Sequence, residues 1–332
     1  MSNTPENSVL QIDELTISFK ENNNIYNVVK DVTISAQKGK MTGLIGESGC
    51  GKTVTALSAI GLLPDDAIIE SGHINFLGDN MDNLSENDWN KYRGKNISMI
   101  FQEPMTSLNP LMKVGVQIQE NIKIEKITKK EAKTMTYDIM KKVGLSDVEK
   151  LYNSYPHSLS GGMRQRIMIA MALINNPELV IADEPTTALD ATIQAQIMVL
   201  LKKLNQDSET AILLISHDLG LVKELCSKSY IMYAGRIVES GDTEKIIKNP
   251  LHPYTIGLIK SIPNVKKRGE RLSTIKGFVP SIEERKSVGC PFAKRCEKCM
   301  KICNELMPQE KIIDDISVYC HLYDEKCGEF DE

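Results

Sequence analysis

Aromatic residues and long apolar runs are both scarce in this sequence. Aromatic side chains make up 5% of the 332 residues, with a single Trp. No apolar run approaches the roughly 18 residues that a helix needs to cross a bilayer. The first eight residues are polar and lack the apolar core of a secretion signal. The sequence therefore predicts a chain without a membrane span or signal peptide, and we expect it to stay in the cytosol.

The sequence also lacks a large excess of either positive or negative charge. The 40 Lys and Arg residues nearly balance the 44 Asp and Glu residues, for a net charge of −4. Bulk charge of this kind does not indicate a nucleic-acid surface, so we expect no nucleic-acid partner. A chain of this length can bury a large core and commonly forms more than one folded unit; we expect two.

Cysteine is present but unevenly distributed. Cys50 and Cys226 stand alone, whereas six of the eight crowd into the last 43 residues: Cys290, Cys296, Cys299, Cys303, Cys320 and Cys327. In a reducing compartment, such crowding favours a metal or cluster over disulfides. Four thiolates can bind zinc or an iron–sulfur cluster, and the spacing alone favours neither. Free cysteines in a small core are the third alternative.

One short stretch fits the phosphate-binding pattern G-x-x-x-x-G-K-[ST] at every position: Gly46, Glu47, Ser48, Gly49, Cys50, Gly51, Lys52 and Thr53. Its glycines let backbone N–H groups surround a triphosphate, and its lysine and hydroxyl suit phosphate and Mg²⁺. The apolar run Met41–Ile45 before it predicts a buried strand, and residues 54–63 predict a helix. The context predicts an ATP or GTP site, although a glycine turn that merely caps a helix is the simpler alternative.

Three further motifs downstream disfavour that simpler alternative. Ser160, Gly161 and Gly162 open a predicted helix that runs to residue 175, a second geometry suited to phosphate. The apolar run 179–182 ends in Asp183 and Glu184, and burying adjacent acids is costly enough to indicate a function. The next buried strand, 211–216, ends in His217, which alone would be an ordinary strand-end histidine.

The rest of the chain predicts the surroundings of these motifs. Residues 9–19 and 28–36 alternate like antiparallel strands, joined by an asparagine-rich turn that Phe19 and Tyr26 flank. Either aromatic could stack on a purine or simply pack in the core. Residues 105–151 predict a lysine-rich helical insertion, in which Thr128 caps a helix over 129–143. We place a domain boundary near residue 245.

In order and spacing, these motifs resemble the ATP-binding-cassette (ABC) ATPases over residues 9–245. The resemblance implies an α/β P-loop NTPase fold: a RecA-like core, an antiparallel β-subdomain and a helical subdomain at about 105–165. It also implies a role for each motif. Gly46–Thr53 is the Walker A loop, 179–184 is Walker B, and Ser160, Gly161 and Gly162 belong to the signature sequence. Gln102 and Asp190 occupy the Q-loop and D-loop positions.

The same resemblance implies a mechanism. Lys52 contacts the β- and γ-phosphates of ATP, while Thr53, Gln102 and Asp183 hold Mg²⁺, Asp183 through water. Glu184 polarises the attacking water and His217 touches the γ-phosphate. The family completes each site with the signature loop of a second ATPase subunit. Phe19 is expected to stack on adenine, with Tyr26 as the alternative.

The last part of the chain resembles the C-terminal extension of oligopeptide and dipeptide permease ATPases. The similarity lies in residues 249–255, 289–296 and 318–322. In that family, four cysteines spaced like Cys290, Cys296, Cys303 and Cys320 hold an iron–sulfur cluster, so the resemblance implies [4Fe-4S], with zinc as the alternative. Cys299 and Cys327 depart from the family pattern. We divide the chain into a nucleotide-binding domain, 1–245, and an extension, 246–332.

The resemblance leads us to expect the ATP-hydrolysing subunit of a peptide importer at the cytoplasmic face of the membrane. The implied partners are a related but different ATPase subunit, two membrane-spanning permease subunits and an extracellular or periplasmic peptide-binding protein. One alternative keeps the importer but changes its cargo to nickel or another metal complex. A second is a soluble ABC ATPase without a transport role, which usually has two cassettes or a long coiled coil.

Overall fold

A computed structural model describes residues 7–21, 24–103, 107–124, 126–187, 189–262, 274–285 and 288–324. They fall into two compact units. The first comprises residues up to Leu10, Ala36–Met41 and Phe76–Ile215. The second comprises Gln11–Ser35, Thr42–Asn75 and the chain from Ser216 onward. Within the described ranges, none of the helices has the length and apolar character that a membrane crossing requires.

The first unit contains three parallel strands: β6 (Ile97–Ile100), β7 (Leu179–Asp183) and β8 (Ala211–Ser216). Ile97 pairs with Leu179, and Leu179 pairs with Ala211, so the three strands are in register with β7 between the other two. Every residue of β7 and β8 is buried. Strands covered on both faces read as continuous apolar runs, which is why the sequence predicted them clearly.

Helices occupy much of the rest of the first unit. They are α2 (Glu86–Tyr92), α3 (Val114–Glu120), α4 (Lys129–Lys142), α5 (Val148–Tyr152), α6 (Gly161–Leu173) and α7 (Ala191–Ser208). The two-residue strand β5 (Asp79–Asn80) also lies in this unit. Thr128 caps α4 as predicted, in a capping box with Glu131.

Five strands in the second unit form a continuous sheet in the order β11-β12-β10-β9-β3. They are β3 (Met41–Ile45), β9 (Lys228–Tyr233), β10 (Arg236–Asp242), β11 (Glu310–Ile313) and β12 (Ile316–Tyr319). Strand β3 is parallel to β9, whereas β9 and β10 form an antiparallel hairpin. Strand β12 pairs with β10 through Glu239 and Val318, so strands of the C-terminal extension lengthen this sheet.

Another sheet contains β2, β1 and β4 side by side in that order. Strand β1 is Ser8–Glu21, β2 is Asn24–Gln37 and β4 is Ala67–Phe76. Among its described residues, the second unit also holds the α-helices α1 (Lys52–Ser58), α8 (Leu219–Leu225), α9 (Thr243–Lys248), α10 (Pro253–Ser261) and α11 (Ile302–Glu305).

One predicted helix was wrong in extent. The helix after the phosphate loop ends at Ser58 instead of residue 63, because the chain turns through Gly61 in the left-handed conformation. The described part of the insertion 105–151 is helical as predicted and includes the separate helices α3, α4 and α5. Gly144, at φ 77°, follows α4 and separates it from α5.

Candidate active site

The phosphate-binding loop joins β3 to α1 within the second unit, as the sequence predicted. Gly51 precedes the helix with φ 113°, a backbone angle that an L side chain rarely adopts. Gly46 lies against β9, where an added Cβ would be 2.3 Å from the carbonyl oxygen of Met232. These two glycines are therefore required by the backbone path and by close packing.

Lys52 is the buried cation of this loop. Its side-chain ammonium donates to the carbonyl oxygens of Gly46, at 2.8 Å, and Glu47, at 3.0 Å. Ser48, Gly49 and Thr53 are exposed, so the open side of the loop carries two hydroxyls. Cys50 is buried, and burial raises the pKa of its thiol. Cys50 thus has the character of a small packed residue, not of a reactive thiol.

In the first unit, the two predicted acids stand at the carboxyl end of β7. Asp183 is the last residue of the strand and is 3% exposed. Glu184 follows with φ 42°, and its backbone N–H donates to the carbonyl oxygen of Ile215 at 3.0 Å. A glutamate in the left-handed region costs energy, and such strain is found most often at functional sites.

Two neutral groups donate hydrogen bonds to the carboxylate of Glu184. The side-chain amide of Gln102 donates to Oε2 at 3.2 Å, and the hydroxyl of Thr187 donates to the same atom at 3.0 Å. The structure thus brings Gln102 and Glu184 together across 82 positions of sequence. Thr187 was missed by the sequence reasoning, although its position three residues after Glu184 is within reach of a local turn.

The predicted signature and D-loop residues both stand at helix starts in the first unit. Ser160 is the N-cap of α6 and accepts from the backbone N–H of Met163 at 3.3 Å. Gly161 is half-buried, and an added Cβ at Gly162 would be 2.9 Å from a methyl group of Ile193 in α7. Asp190 is the N-cap of α7 and accepts from two backbone N–H groups.

Three other predicted residues lie in the second unit. His217 is exposed directly after β8, and the neighbouring Asp218 caps α8. Phe19 on β1 and Tyr26 on β2 are both half-buried, and the Tyr26 hydroxyl accepts from the side-chain amide of Asn24 at 3.1 Å. Partial exposure leaves either ring able to stack on a base.

The C-terminal extension places side chains on the phosphate-binding loop. Glu47 donates its backbone N–H to the hydroxyl of Tyr254 and forms an ion pair with Arg295. Arg285 donates to the carbonyl oxygen of Gly49. The sequence assigned no role to Tyr254, Arg285 or Arg295, because 248 positions separate Arg295 from Glu47 and no short-range pattern joins them.

Four cysteine thiols of the extension are close enough to influence one another. The pKa of Cys290 is raised to about 12, mainly by burial and to a smaller extent by the neighbouring thiols of Cys303, Cys320 and Cys296. The pKa of Cys320 is raised to about 11, again mainly by burial, with smaller contributions from Cys296 and Cys303. Cys299 is exposed, and Cys327 lies outside the described residues.

We tested whether these thiols fit one metal ion. Across the portions of the chain with described coordinates, no group of three or more His, Cys, Asp or Glu side chains is arranged to hold such an ion. The thiols are therefore neighbours that do not converge on a single-ion site. The described cysteines are all reduced in this structure.

Comparison with known proteins gives two matching family models. The model described as ABC transporter matches residues 29–187. The model described as oligopeptide/dipeptide transporter, C-terminal region, matches residues 238–303.

Curated relatives match nearly the whole chain. The oligopeptide transport ATP-binding protein OppD of Salmonella typhimurium is 44% identical over 307 residues, which cover 92% of this chain and 91% of that protein. The dipeptide transport ATP-binding protein DppD of Bacillus subtilis is 42% identical over 321 residues, which cover 96% of each. Both similarities extend through the nucleotide motifs into the cysteine-rich extension.

Solved structures show the same fold at lower identity. The dimeric ATP-binding cassette MJ0796 bound to ADP and Pi gives a TM-score of 0.63 at 24% identity and covers 70% of this chain and 98% of that one. The structure of cbiO1 from Clostridium perfringens gives a TM-score of 0.64, also at 24% identity. At this identity the likeness establishes the fold alone.

Proposed function

We infer the function of this chain from the family to which it belongs, the ATP-binding proteins of oligopeptide and dipeptide ABC transporters. It is an ATP-hydrolysing subunit that drives the import of oligopeptides or dipeptides. The observation that carries this function is the joint presence of the phosphate loop and the Gln102–Glu184 contact in a chain whose relatives are peptide-transport ATPases. The metal-complex cargo and the non-transport role are not favoured, since the relatives are named for peptides.

We propose that Glu184 polarises the water that attacks the γ-phosphate. Gln102 and Thr187 donate hydrogen bonds to its carboxylate without adding a charge, and this orientation supports an acceptor role toward a water proton. The strained backbone at Glu184 supports the same role. Lys52 and His217 would contact the phosphates and neutralise charge in the transition state.

ATP hydrolysis of this kind uses Mg²⁺, and the oxygen donors of this chain fit that ion. Magnesium prefers hydroxyl, carboxylate and amide oxygens. The exposed Thr53 hydroxyl, the Asp183 carboxylate and the side-chain oxygen of Gln102 would hold it. Gln102 gives its amide N–H to Glu184, which leaves its amide oxygen to accept from or ligate another group. The bound ion would shield the charge that develops on the phosphates.

We further propose that the signature residues Ser160, Gly161 and Gly162, with Asp190, complete the nucleotide site of a second ATPase subunit. The start of α6 supports this role, because the N-terminal end of a helix favours a phosphate. Phe19 would stack on the adenine, with Tyr26 as the alternative. The second ATPase subunit would be related but different, and the complex would include two membrane-spanning subunits and a peptide-binding protein.

For the extension, we propose that Cys290, Cys296, Cys303 and Cys320 hold a [4Fe-4S] cluster. Their mutual influence on one another's pKa supports a shared ligand. In a cluster each of the four thiolates would bind one iron. Zinc held by the same four thiolates is the alternative. The cluster would supply covalent links that stabilise a small extension.

The proposed location of this chain follows from its proposed membrane-spanning partners. We propose that the chain works at the cytoplasmic face of the membrane, held there by the membrane-spanning subunits. Division of the chain into a nucleotide-binding domain, 1–245, and an extension, 246–332, remains part of this proposal. The similarity of residues 238–303 to the transporter C-terminal region supports it.

The function can be tested with the transporter purified from membranes through a tag on this chain. The complex in proteoliposomes should take up labelled oligopeptides or dipeptides when ATP and the cognate binding protein are present. Uptake should stop when Glu184 is replaced by Gln. Uptake of a nickel chelate without any peptide uptake, or purification without membrane subunits, would overturn the proposal.

A further inference from the structure

A negative side chain stands inside the phosphate-binding loop. Glu47 is the second residue of the loop, and its side chain is 32% exposed. Like charges at short range repel strongly wherever water is partly excluded. A carboxylate here would therefore weaken the binding of a triphosphate unless another group neutralised it.

Arg295 of the C-terminal extension is that neutralising group. Its Nη1 lies 2.6 Å from Oε2 of Glu47, and its Nη2 lies 3.0 Å from Oε1. The arrangement is the two-pronged pairing that makes Arg–carboxylate bonds strong and directional. The Arg295 side chain is only 5% exposed, so the pair is poorly screened by solvent.

The position of Arg295 is fixed by other parts of the extension and by β9. Its Nε donates to the carbonyl oxygen of Lys276 at 2.8 Å. Its guanidinium carbon lies 5.6 Å from the ring centre of Tyr233, which in turn packs edge-on against Phe292. Arg295 immediately precedes Cys296, so the cysteine-rich segment also determines where this cation stands.

Two more side chains from the extension hold the backbone of the loop. Tyr254 accepts the backbone N–H of Glu47 at 3.0 Å. Arg285 donates from Nη2 to the carbonyl oxygen of Gly49 at 2.5 Å and from Nη1 to that of Val28 at 2.8 Å. The bonds to Glu47 and Gly49 each fix a peptide plane of the loop, because the peptide unit is rigid.

We propose that Arg295 is a positioning residue for ATP binding, through which the C-terminal extension sets the ATP affinity of the phosphate loop. It neutralises Glu47 and ties the loop to the extension. The inference rests on the proposed function in one respect, that the loop binds ATP. It does not depend on the cargo or on the identity of any metal in the extension.

The test removes the charge of Arg295, of Glu47, or of both in the full-length chain. Each variant is compared with the wild type by its affinity for a fluorescent ATP analogue. Arg295→Gln should weaken binding by at least about tenfold, or about 1.4 kcal/mol. Glu47→Gln should tighten binding by a few fold, because the positive charge of Arg295 is then no longer cancelled, while the side-chain amide oxygen at position 47 still accepts from Arg295. The double variant should bind within about threefold of the wild type.

A matched control and a conservative variant complete the set. Lys294→Gln removes the same charge one residue away, from an exposed side chain, and should leave binding unchanged. Arg295→Lys keeps the charge without the two-pronged geometry, and its affinity should lie between those of the wild type and Arg295→Gln. In the assembled transporter, Arg295→Gln should raise KM for ATP while kcat stays close to the wild-type value.

Arg295→Gln and Glu47→Gln should change the affinity for ATP in opposite directions. This opposition distinguishes charge neutralisation by Arg295 from a purely structural role. If Arg295 only stabilised the fold, both changes would weaken binding and the double variant would not recover. That result, or normal binding by a folded Arg295→Gln chain, would overturn the proposal. Should Arg295→Gln not fold, Glu47→Gln and Arg295→Lys carry the same test. A wild-type chain that did not bind ATP would instead overturn the proposed function.

Discussion

Two glutamates of this protein accept hydrogen bonds from different kinds of donor. Glu184, after β7, accepts hydrogen bonds from the Gln102 amide and the Thr187 hydroxyl, which are both neutral. Glu47, in the phosphate loop, is paired with the guanidinium of Arg295. A neutral donor orients a carboxylate and leaves its charge in place, whereas a guanidinium cancels the charge.

The difference follows from what each carboxylate must do. A group that polarises water has to remain a strong acceptor, so a cation bonded to it would weaken its action. A carboxylate near a triphosphate has to be neutralised, because its charge opposes binding. We therefore predict that substitution of Glu184 changes the rate of ATP hydrolysis, whereas substitution of Glu47 changes the affinity for ATP.

The largest effect should come from Glu184→Gln. The substitution keeps the size of the side chain but removes the charge, so ATP hydrolysis by the assembled transporter should fall by at least about 100-fold while ATP binding persists. Phosphate release measures this directly. The same substitution at the exposed Glu149 is the control and should have no effect. Near-normal hydrolysis by Glu184→Gln would rule out the proposed role.

Gln102→Ala removes one of the neutral donors to Glu184 together with a proposed Mg²⁺ ligand. We expect kcat to fall by roughly tenfold and the Mg²⁺ concentration for half-maximal rate to rise, since an oxygen ligand is lost. A magnesium titration of the ATPase rate distinguishes the two contributions. An unchanged Mg²⁺ requirement would contradict the ligand role, even if kcat fell.

Thr187→Val removes the other neutral donor without changing the shape of the side chain. The loss of one hydrogen bond should lower kcat by about fivefold and leave KM for ATP unchanged. Thr192→Val, at an exposed position on α7, provides the matched control. A rise in KM in place of the fall in kcat would mean that Thr187 acts on nucleotide binding.

The smallest effect concerns His252, an imidazole of the extension that burial keeps neutral. The Nδ1 of His252 accepts the backbone N–H of Tyr254 at 3.1 Å, and burial lowers the pKa of the imidazole from 6.5 to about 3. The unfolded chain therefore binds a proton between these two pH values and the folded chain does not. Stability should fall as the pH drops below about 6.5, by up to roughly 1.4 kcal/mol per pH unit.

His252→Asn checks this pH dependence, because asparagine also caps a helix but does not titrate. Urea unfolding between pH 7 and 5 should show a steeper loss of stability in the wild type than in the variant. The nearby Glu239, whose pKa is raised by burial, titrates in both proteins and so cancels from the difference. Parallel curves for the two proteins would show that His252 is not the titrating group.

The sequence predicted the nucleotide motifs well because each is a local pattern. The apolar runs of β7 and β8 predicted buried strands, and the parallel pairing of both strands confirms them. The early end of α1 could have been predicted from Gly61, which is a common helix-ending residue. The roles of the motif residues remain predictions until the variants above are measured.

The partners of the two glutamates could not be predicted in the same way. Gln102 meets Glu184 across 82 positions, and Arg295 meets Glu47 across 248. Contacts at such separations depend on how strands and loops are brought together, and no periodicity in the sequence encodes them. Only Thr187, three residues from Glu184, lay within reach of local reasoning.

The most direct test of this account measures kcat and KM for ATP side by side in assembled transporters that carry Glu184→Gln or Glu47→Gln. We predict that the change at Glu184 removes kcat, while the change at Glu47 lowers KM and leaves most of kcat. Loss of kcat from both variants, or retention of kcat by Glu184→Gln, would contradict the division of roles between the two carboxylates.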